Sequence, residues 1–528
     1  MSQTPSLAVQ PVALDHQRLF YEPVVLEYAL QIACRDGREV FNETPIMEND
    51  SLTSQKQAFH CFVDKLAQVC DNERGGKMVT AVAVLNGSDR TEFVFASNER
   101  TEDELAETRD FLHSLLTLVG KNPAGLKPKP LTKQVLWKIL HFNMLRLNDY
   151  LNKLIKYLNK CIADCDRRQL TGTLKSELEK LREKADFPRD SGAVQDKILS
   201  DCEKLIKGVV AIKSSSIEVA IKDHAKDGSI NSSESWCELR HYLGRLLSFR
   251  QAANVIVDAN DRDPDMLRSF NITSVSSSPP GPKPIGKSRS FTAVSIVNNM
   301  ITEDDEEKED YLEKALEMQR FGVNDIIYAQ ISKRSFKPRV HAEIQVHDYL
   351  LDNGLQHPRE YWNSWKYIGS SKPTCKLCHY YFDLHPDKVS VRKPHFNLYP
   401  NWRLPGLLES QDSETGPDPK KLRLLQQITE RIRDDVKTTL EERRPVGRTH
   451  DSLTSTTRTP GLAQTDEDSD SISISGLAIQ PSTSSVRPQD NSGSSPWAGG
   501  DDDQESTQWE NESEFTEEAN EGVSVVDA

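Results

Sequence analysis

Two short segments carry residue types that can do metal chemistry at ligand spacing: His341-Ala342-Glu343 and Cys375-Lys376-Leu377-Cys378. Zinc favours imidazole nitrogen and thiolate sulfur in a tetrahedral arrangement. A catalytic site uses three protein ligands and keeps the fourth position open. His341, Cys375 and Cys378 are such a set. The 33 residues between His341 and Cys375 accommodate a helix, a loop and a strand, so two helix N-termini can meet at one point. Backbone N–H groups and the helix dipole there favour thiolates, so Cys375 should deprotonate readily. Glu343 is offset by two residues from His341 and can reach a water on the metal. Zinc lowers the pKa of such a water towards neutrality. Glu343 would take its proton and pass it to a ring nitrogen and a leaving amine.

A His two residues before a Glu, followed by a Pro and a Cys-x-x-Cys pair, is the pattern of zinc deaminases. The expected reaction is hydrolytic replacement of an exocyclic amine by a carbonyl oxygen. Three other readings stay open. His379, His385 or His395 could close a fourth position and give a structural Cys2His2 site. The Cys pair could be a thiol redox pair, although no thioredoxin-like βαβ pattern surrounds it. The chain could also be a catalytically inactive, zinc-stabilised protein-interaction module. His347 reads as a surface or partly buried histidine. His395, Asn397, Tyr399 and Trp402 lie in an irregular stretch and are candidates for substrate contact, because bases are read by edge hydrogen bonds and aromatic stacking. For Tyr399 and Trp402 the competing reading is packing at the domain edge.

The elements that must position these residues follow from periodicity. Pro338 keeps Lys337 extended, and the apolar spacing after His341 predicts a helix over 341–353. Trp365–Ser371 reads as a short strand, residues 373–385 as a loop into another helix, and residues 388 onward as a strand that turns irregular at Pro394 and Pro400. Upstream, residues 54–71 read as a helix. "KMVTAVAVL" and "TEFVFASN", joined at Asn86-Gly87, read as a hairpin. Helical patterns cover 101–119, 131–167, 174–186, 194–225 and 233–257. A helix is expected at 309–330 and a charged one at 419–444.

The chain has 528 residues and a formal net charge of −15. Residues 445–528 hold 17 Asp/Glu against 3 Lys/Arg, so the acidity belongs to a Ser/Thr-rich tail that should be disordered. Residues 331–405 carry 12 Lys/Arg and 6 Asp/Glu, an excess that could attract an anion or could be ordinary solvated surface. The nine cysteines are odd in number and scattered, which argues against a disulfide framework. No apolar run is long enough to cross a bilayer. The first twenty residues lack a basic region followed by an apolar stretch, so an intracellular location, cytoplasm or nucleus, is expected and no membrane partner.

"HAE", then "YIGSSKPTCKLCHYYF", then "HFNLYPNWRLP" resemble a deaminase-like family common in fungi, within the cytidine-deaminase-like superfamily. The resemblance covers about 335–405. It implies predicted nucleic-acid or nucleotide deamination with Zn2+ as cofactor, His341, Cys375 and Cys378 as metal ligands, and Glu343 as the catalytic proton shuttle. It implies an α/β fold: a cytidine-deaminase-like three-layer α/β/α zinc domain, with a large mainly helical region and the acidic tail added. Thr374 separates Pro373 from Cys375, where that superfamily usually has Pro directly before the Cys. The helix and hairpin also lie some 240 residues upstream of His341 instead of next to it.

The expected organisation is an N-terminal segment (1–53), a helix plus hairpin (54–98), a helical region (99–270), a flexible linker (271–308), the zinc core (309–405), a C-terminal helix (406–444) and the tail (445–528). Either 54–98 is the first part of the deaminase fold, with 99–270 inserted, or it belongs to a separate domain. Expected partners are a nucleic acid or nucleotide substrate, and proteins through the helical region.

Overall fold

The β-branched and aromatic runs that read as a hairpin form β1 (Thr80–Asn86) and β2 (Thr91–Ser97), paired antiparallel from Thr80↔Ser97 to Asn86↔Thr91. The turn needs glycine, because a Cβ on Gly87 would lie 2.4 Å from the Arg90 carbonyl oxygen. The structure, a computed structural model, describes residues 11–34, 54–170, 172–189, 195–226, 230–406 and 418–443. The expected disordered tail lies outside the described residues. Three further strands complete the sheet in the order β3-β2-β1-β4-β5. β3 (Phe270–Val275) runs parallel to β2, β4 (Tyr367–Ser370) antiparallel to β1, and β5 (Ser390–Val391) parallel to β4. The strand that leads to the cysteine pair therefore hydrogen-bonds directly to the upstream hairpin, through Ala81↔Ser370, Val82↔Gly369 and Ala83↔Ile368.

Side chains alternate across a strand, and both faces of this sheet are buried. Val82, Val84, Phe93 and Phe95 pack with α2 (Gln55–Cys70) and the helical region. That region comprises α3 (Glu102–Lys121), α4 (Pro128–Phe142), α5 (Met144–Arg167), α6 (Thr173–Ala185), α7 (Gln195–Lys213), α8 (Ser216–Ala225), α9 (Ile230–Arg262) and the short α10 (Asp265–Arg268). Ala81, Ala83, Leu85, Val94 and Ala96 face the other way, towards α1 (Pro11–Ala33), α11 (Ala293–Met300), α12 (Lys308–Glu317), α13 (Val323–Ser332), α14 (Ala342–Asp352), α15 (Lys376–Leu384) and α16 (Pro419–Glu442). The small side chains on that face let α14 lie close over β1 and β2. The result is a mixed α/β molecule, mostly helical, with a small mixed sheet.

Several expectations are corrected. The helix read over 131–167 breaks at Asn143, whose buried amide donates to Val69 O and Ile139 O. The helix over 194–225 breaks before Ser215, which caps α8. The helix over 309–330 breaks at Gly322, which adopts φ +72°. Residues 271–308 are not simply a linker. Ile272 is buried in β3, a Thr292/Ser295 capping box starts α11, and the Pro/Ser/Gly stretch between them is hydrogen-bonded to the sheet and to α14. Composition reports flexibility only when the backbone groups lack fixed partners, and here they have them. Residues 1–53 received no element, yet α1 is there. It is buried on nearly all sides from Phe20 to Gln31, so it shows no polar–apolar stripe. Among the described residues no helix is long and apolar enough to cross a membrane.

Candidate metal centre

His341 is the N-cap residue of α14, and Cys375 is the N-cap residue of α15. Two helix N-termini thus face one point. Cys375 Sγ accepts the Cys378 N–H at 3.5 Å, so it satisfies one of the first-turn donors that a helix leaves open. Cys375 Sγ and Cys378 Sγ lie 3.5 and 3.4 Å from His341 Nδ1. All three ligand atoms are within 4.8 Å of one another, and both cysteines are free thiols. Tetrahedral bonds of about 2.3 Å to sulfur and 2.0 Å to nitrogen put N and S about 3.5 Å apart, so the donor set fits zinc.

The electrostatics of the trio are coupled. Burial opposes ionisation of Cys375. The hydrogen bonds from Cys378 and the neighbouring His341 overcome it and hold the Cys375 thiol well below the usual range. Burial and the Cys375 thiolate push Cys378 well above it. Burial pulls His341 down, but the Cys375 charge and hydrogen bond leave it raised. Glu343, 4% exposed, is pushed up by burial, with His341 opposing. Its charge acts on both His341 and Cys378, so it lies beside the ligands. Ser370 Oγ at the end of β4 donates to Glu343 Oε1 at 3.3 Å.

The stretch after β5 braces both ligand segments. His395 N–H donates to Thr374 O, and Lys376 N–H donates to Asn397 O. Thr374, the departure before the first cysteine, is fully buried and donates its hydroxyl to Arg392 O at 2.7 Å. On the other side, Arg339 N–H donates to Asn401 O and Arg403 N–H to Arg339 O.

His395 is buried and its Nδ1 accepts the Asn397 N–H at 2.9 Å, while Asn397 and Tyr399 are half-buried. Trp402 is fully buried. Its indole N–H donates to Cys378 Sγ at 3.3 Å and its ring lies 5.7 Å from Phe20. A ring enclosed in this way has no face for a base, so the expectation that Trp402 contacts substrate is corrected to support of a ligand. His347 is fully buried between Tyr381 and Asp387 instead of at the surface. The histidines weighed as fourth ligands lie outside the converging group: His385 Nδ1 accepts the Asp387 N–H, and the His379 ring sits edge-on to Phe396. Among the described residues only His341, Cys375 and Cys378 form a metal-competent group.

Sequence reasoning missed Asn98, whose Oδ1 accepts the Ala342 N–H, and Ser370. It also missed the buried Lys376, which pairs with Glu27 of α1 and Asp435 of α16. No curated protein and no solved structure matches the chain. A family profile described as an OTT_1508-like deaminase matches residues 340–406, a stretch that contains His341, Glu343, Cys375, Cys378 and the bracing residues to Trp402.

Proposed function

We propose that this protein is a zinc-dependent hydrolytic deaminase of a cytosine- or adenine-type nucleobase in a nucleic acid or nucleotide. The observation that carries the reading is the convergence of His341 Nδ1 and two cysteine sulfurs at 3.4–3.5 Å with Glu343 buried beside them. The deaminase-family match over the same residues supports it.

His341, Cys375 and Cys378 would hold a zinc ion. When bound, zinc supplies Lewis acidity and makes a nucleophile available from water near neutral pH. Glu343 accepts the water proton and delivers it to the ring nitrogen, then carries the second proton to the departing amine. The products are a carbonyl on the base and ammonia. Ser370 orients the carboxylate, and the buried surroundings strengthen each charge interaction. His395, Asn397 and Tyr399 are the proposed base contacts, because they flank the cysteine helix on the bracing stretch.

We also propose a three-layer α/β/α, cytidine-deaminase-like unit assembled from residues 54–98 and 309–405, with 99–270 as an insertion. The direct β1–β4 ladder and the helices on both sheet faces support this. The reading is tested by elemental analysis together with ammonia release from cytosine and adenine nucleosides, nucleotides and single-stranded DNA and RNA. One zinc per chain and ammonia from at least one substrate are expected. Zinc-free protein prepared without chelator would contradict the metal centre. Stoichiometric zinc without ammonia from any substrate would favour the inactive interaction module.

A further inference from the structure

Two acid-free segments meet beside α14. Residues 279–292 carry Lys283, Lys287 and Arg289, and residues 333–341 carry Lys333, Arg334, Lys337 and Arg339, with no Asp or Glu in either. The fold ties them together. Gly281 N–H donates to Pro338 O at 2.7 Å, and Ser278 N–H donates to Gln345 Oε1 of α14 at 3.3 Å. Arg403 Nη2 donates to Pro279 O at 2.8 Å. The Lys287 ammonium and the Arg289 guanidinium lie 5.4 and 4.9 Å from the Tyr328 ring of α13, the helix that leads into residues 333–338.

Lys283, Lys287, Arg289, Arg334 and Lys337 are exposed, and none is ion-paired with a described carboxylate. Arg339 differs: it is buried and paired with Glu99. Lys283 is held below the usual lysine range by partial burial and by the Lys287 charge. Gathered like charges without counter-charges repel one another, and an anion relieves that repulsion. The surface also reaches the metal centre. Lys337 is four residues from His341, at most about 14 Å along extended chain.

A single phosphate is best held by converging donors. These cations are solvent-facing and spread over two segments, which suits a repeating polyanion. A base inside a duplex cannot reach a buried ligand set, whereas a base on a single strand can. We propose that this surface is a track for the phosphate backbone of single-stranded nucleic acid, with Lys283, Lys287, Arg289, Arg334 and Lys337 as phosphate contacts. The proposal rests on the deaminase reading for the fate of the base, but strand binding is measured without turnover.

The test is fluorescence anisotropy of labelled 20-nucleotide single-stranded DNA and RNA with the full chain across a salt series. Five phosphate contacts predict a slope of log affinity against log salt of about −3.5. Lys283→Glu/Lys287→Glu/Arg289→Glu should flatten it to about −1.4 and weaken binding at least about tenfold at the lowest salt. The neutral triple Lys283→Gln/Lys287→Gln/Arg289→Gln should fall between, which separates charge from misfolding. Lys204→Glu/Lys207→Glu on α7, exposed and packed with the opposite sheet face, should bind as wild type.

Absence of strand binding by the wild type, wild-type affinity and slope in both triple variants, or equal binding of polyglutamate would overturn the track. Ammonia from free nucleosides without strand binding would sink the track and leave the deaminase reading. Strand binding with the predicted slopes but no ammonia from any substrate would do the reverse.

Discussion

Asn98 Oδ1 accepts a 2.7 Å hydrogen bond from the backbone N–H of Ala342, which joins the end of β2 to the first turn of α14 across 244 sequence positions. Asn98 Nδ2 in turn donates to Gly76 O at 2.9 Å. First-turn N–H groups have no acceptor within their own helix. Here one of them is satisfied from the hairpin, next to the candidate ligand His341.

Asn98→Ala should therefore destabilise the protein by about 1–2 kcal/mol, the penalty for stranding a buried donor. Asn98→Asp keeps the acceptor for the Ala342 N–H but loses the donor to Gly76 O, so it should recover only part of that loss. Urea midpoints of the three proteins check this. Equal losses in both variants would remove the link to the Ala342 N–H.

Lys376, between the two cysteines, is fully buried, with Glu27 Oε1 at 3.2 Å and Asp435 Oδ2 at 3.1 Å. Tyr380 OH also donates to Asp435 at 2.8 Å. This network ties α15 to α1 and α16. Lys376→Met leaves two buried carboxylates facing each other and should cost roughly 3–5 kcal/mol. Glu27→Gln leaves a one-to-one pair and should cost far less. Denaturant midpoints decide, and a well-tolerated Lys376→Met would contradict the network's role.

Ligand support predicts a separate effect on metal affinity. Trp402→Phe keeps a ring beside Phe20 but removes the N–H held against Cys378 Sγ. Loss of such an outer partner typically weakens binding about 10–100-fold. Competition with a zinc-binding dye measures it. Unchanged affinity would make Trp402 packing alone.

Burial holds His347 down to about 4, and the neighbouring His385 and Lys366 add to it, in a site also closed by Tyr381, Phe382 and Asp387. Burial is the main cause, opposed by the Asp387 hydrogen bond. The unfolded chain binds this proton near 6.5, so between pH 6.5 and 4 it binds more protons than the folded protein. Stability from this group is complete above that window and is lost as pH falls through it, about 3 kcal/mol in all. His60, lowered to about 4 by burial, acts in the same direction. His347→Asn should give a shallower stability–pH curve than wild type between pH 6.5 and 4, measured by urea unfolding at fixed pH. Parallel curves would contradict the assignment.

The metal-competent cluster is legible in the sequence because its chemistry is local: two residues set the His-Glu offset, and three set the Cys pair. Its supports are not. Asn98 and Glu27 reach the site from hundreds of residues away, and Ser370 from a separate strand, and no spacing rule carries that information. α1 was hidden because burial on nearly all sides erases the amphipathic stripe. The linker expectation for 271–308 fails at Ser277, Ser278 and Gly281 because Ser, Pro and Gly mark both mobile chain and chain pinned by tertiary hydrogen bonds. Sequence leaves Trp402 open between substrate contact and packing, because an irregular stretch does not reveal which rings turn inward.

The central claim is that Glu343 moves protons at a three-ligand zinc centre. The most direct measurement compares zinc content and ammonia release in wild type and Glu343→Ala on the same substrates. Stoichiometric zinc in both proteins is predicted, with ammonia release from the variant reduced at least about 100-fold. Equal ammonia release from both would contradict the account, because Glu343 would then have no part in the chemistry.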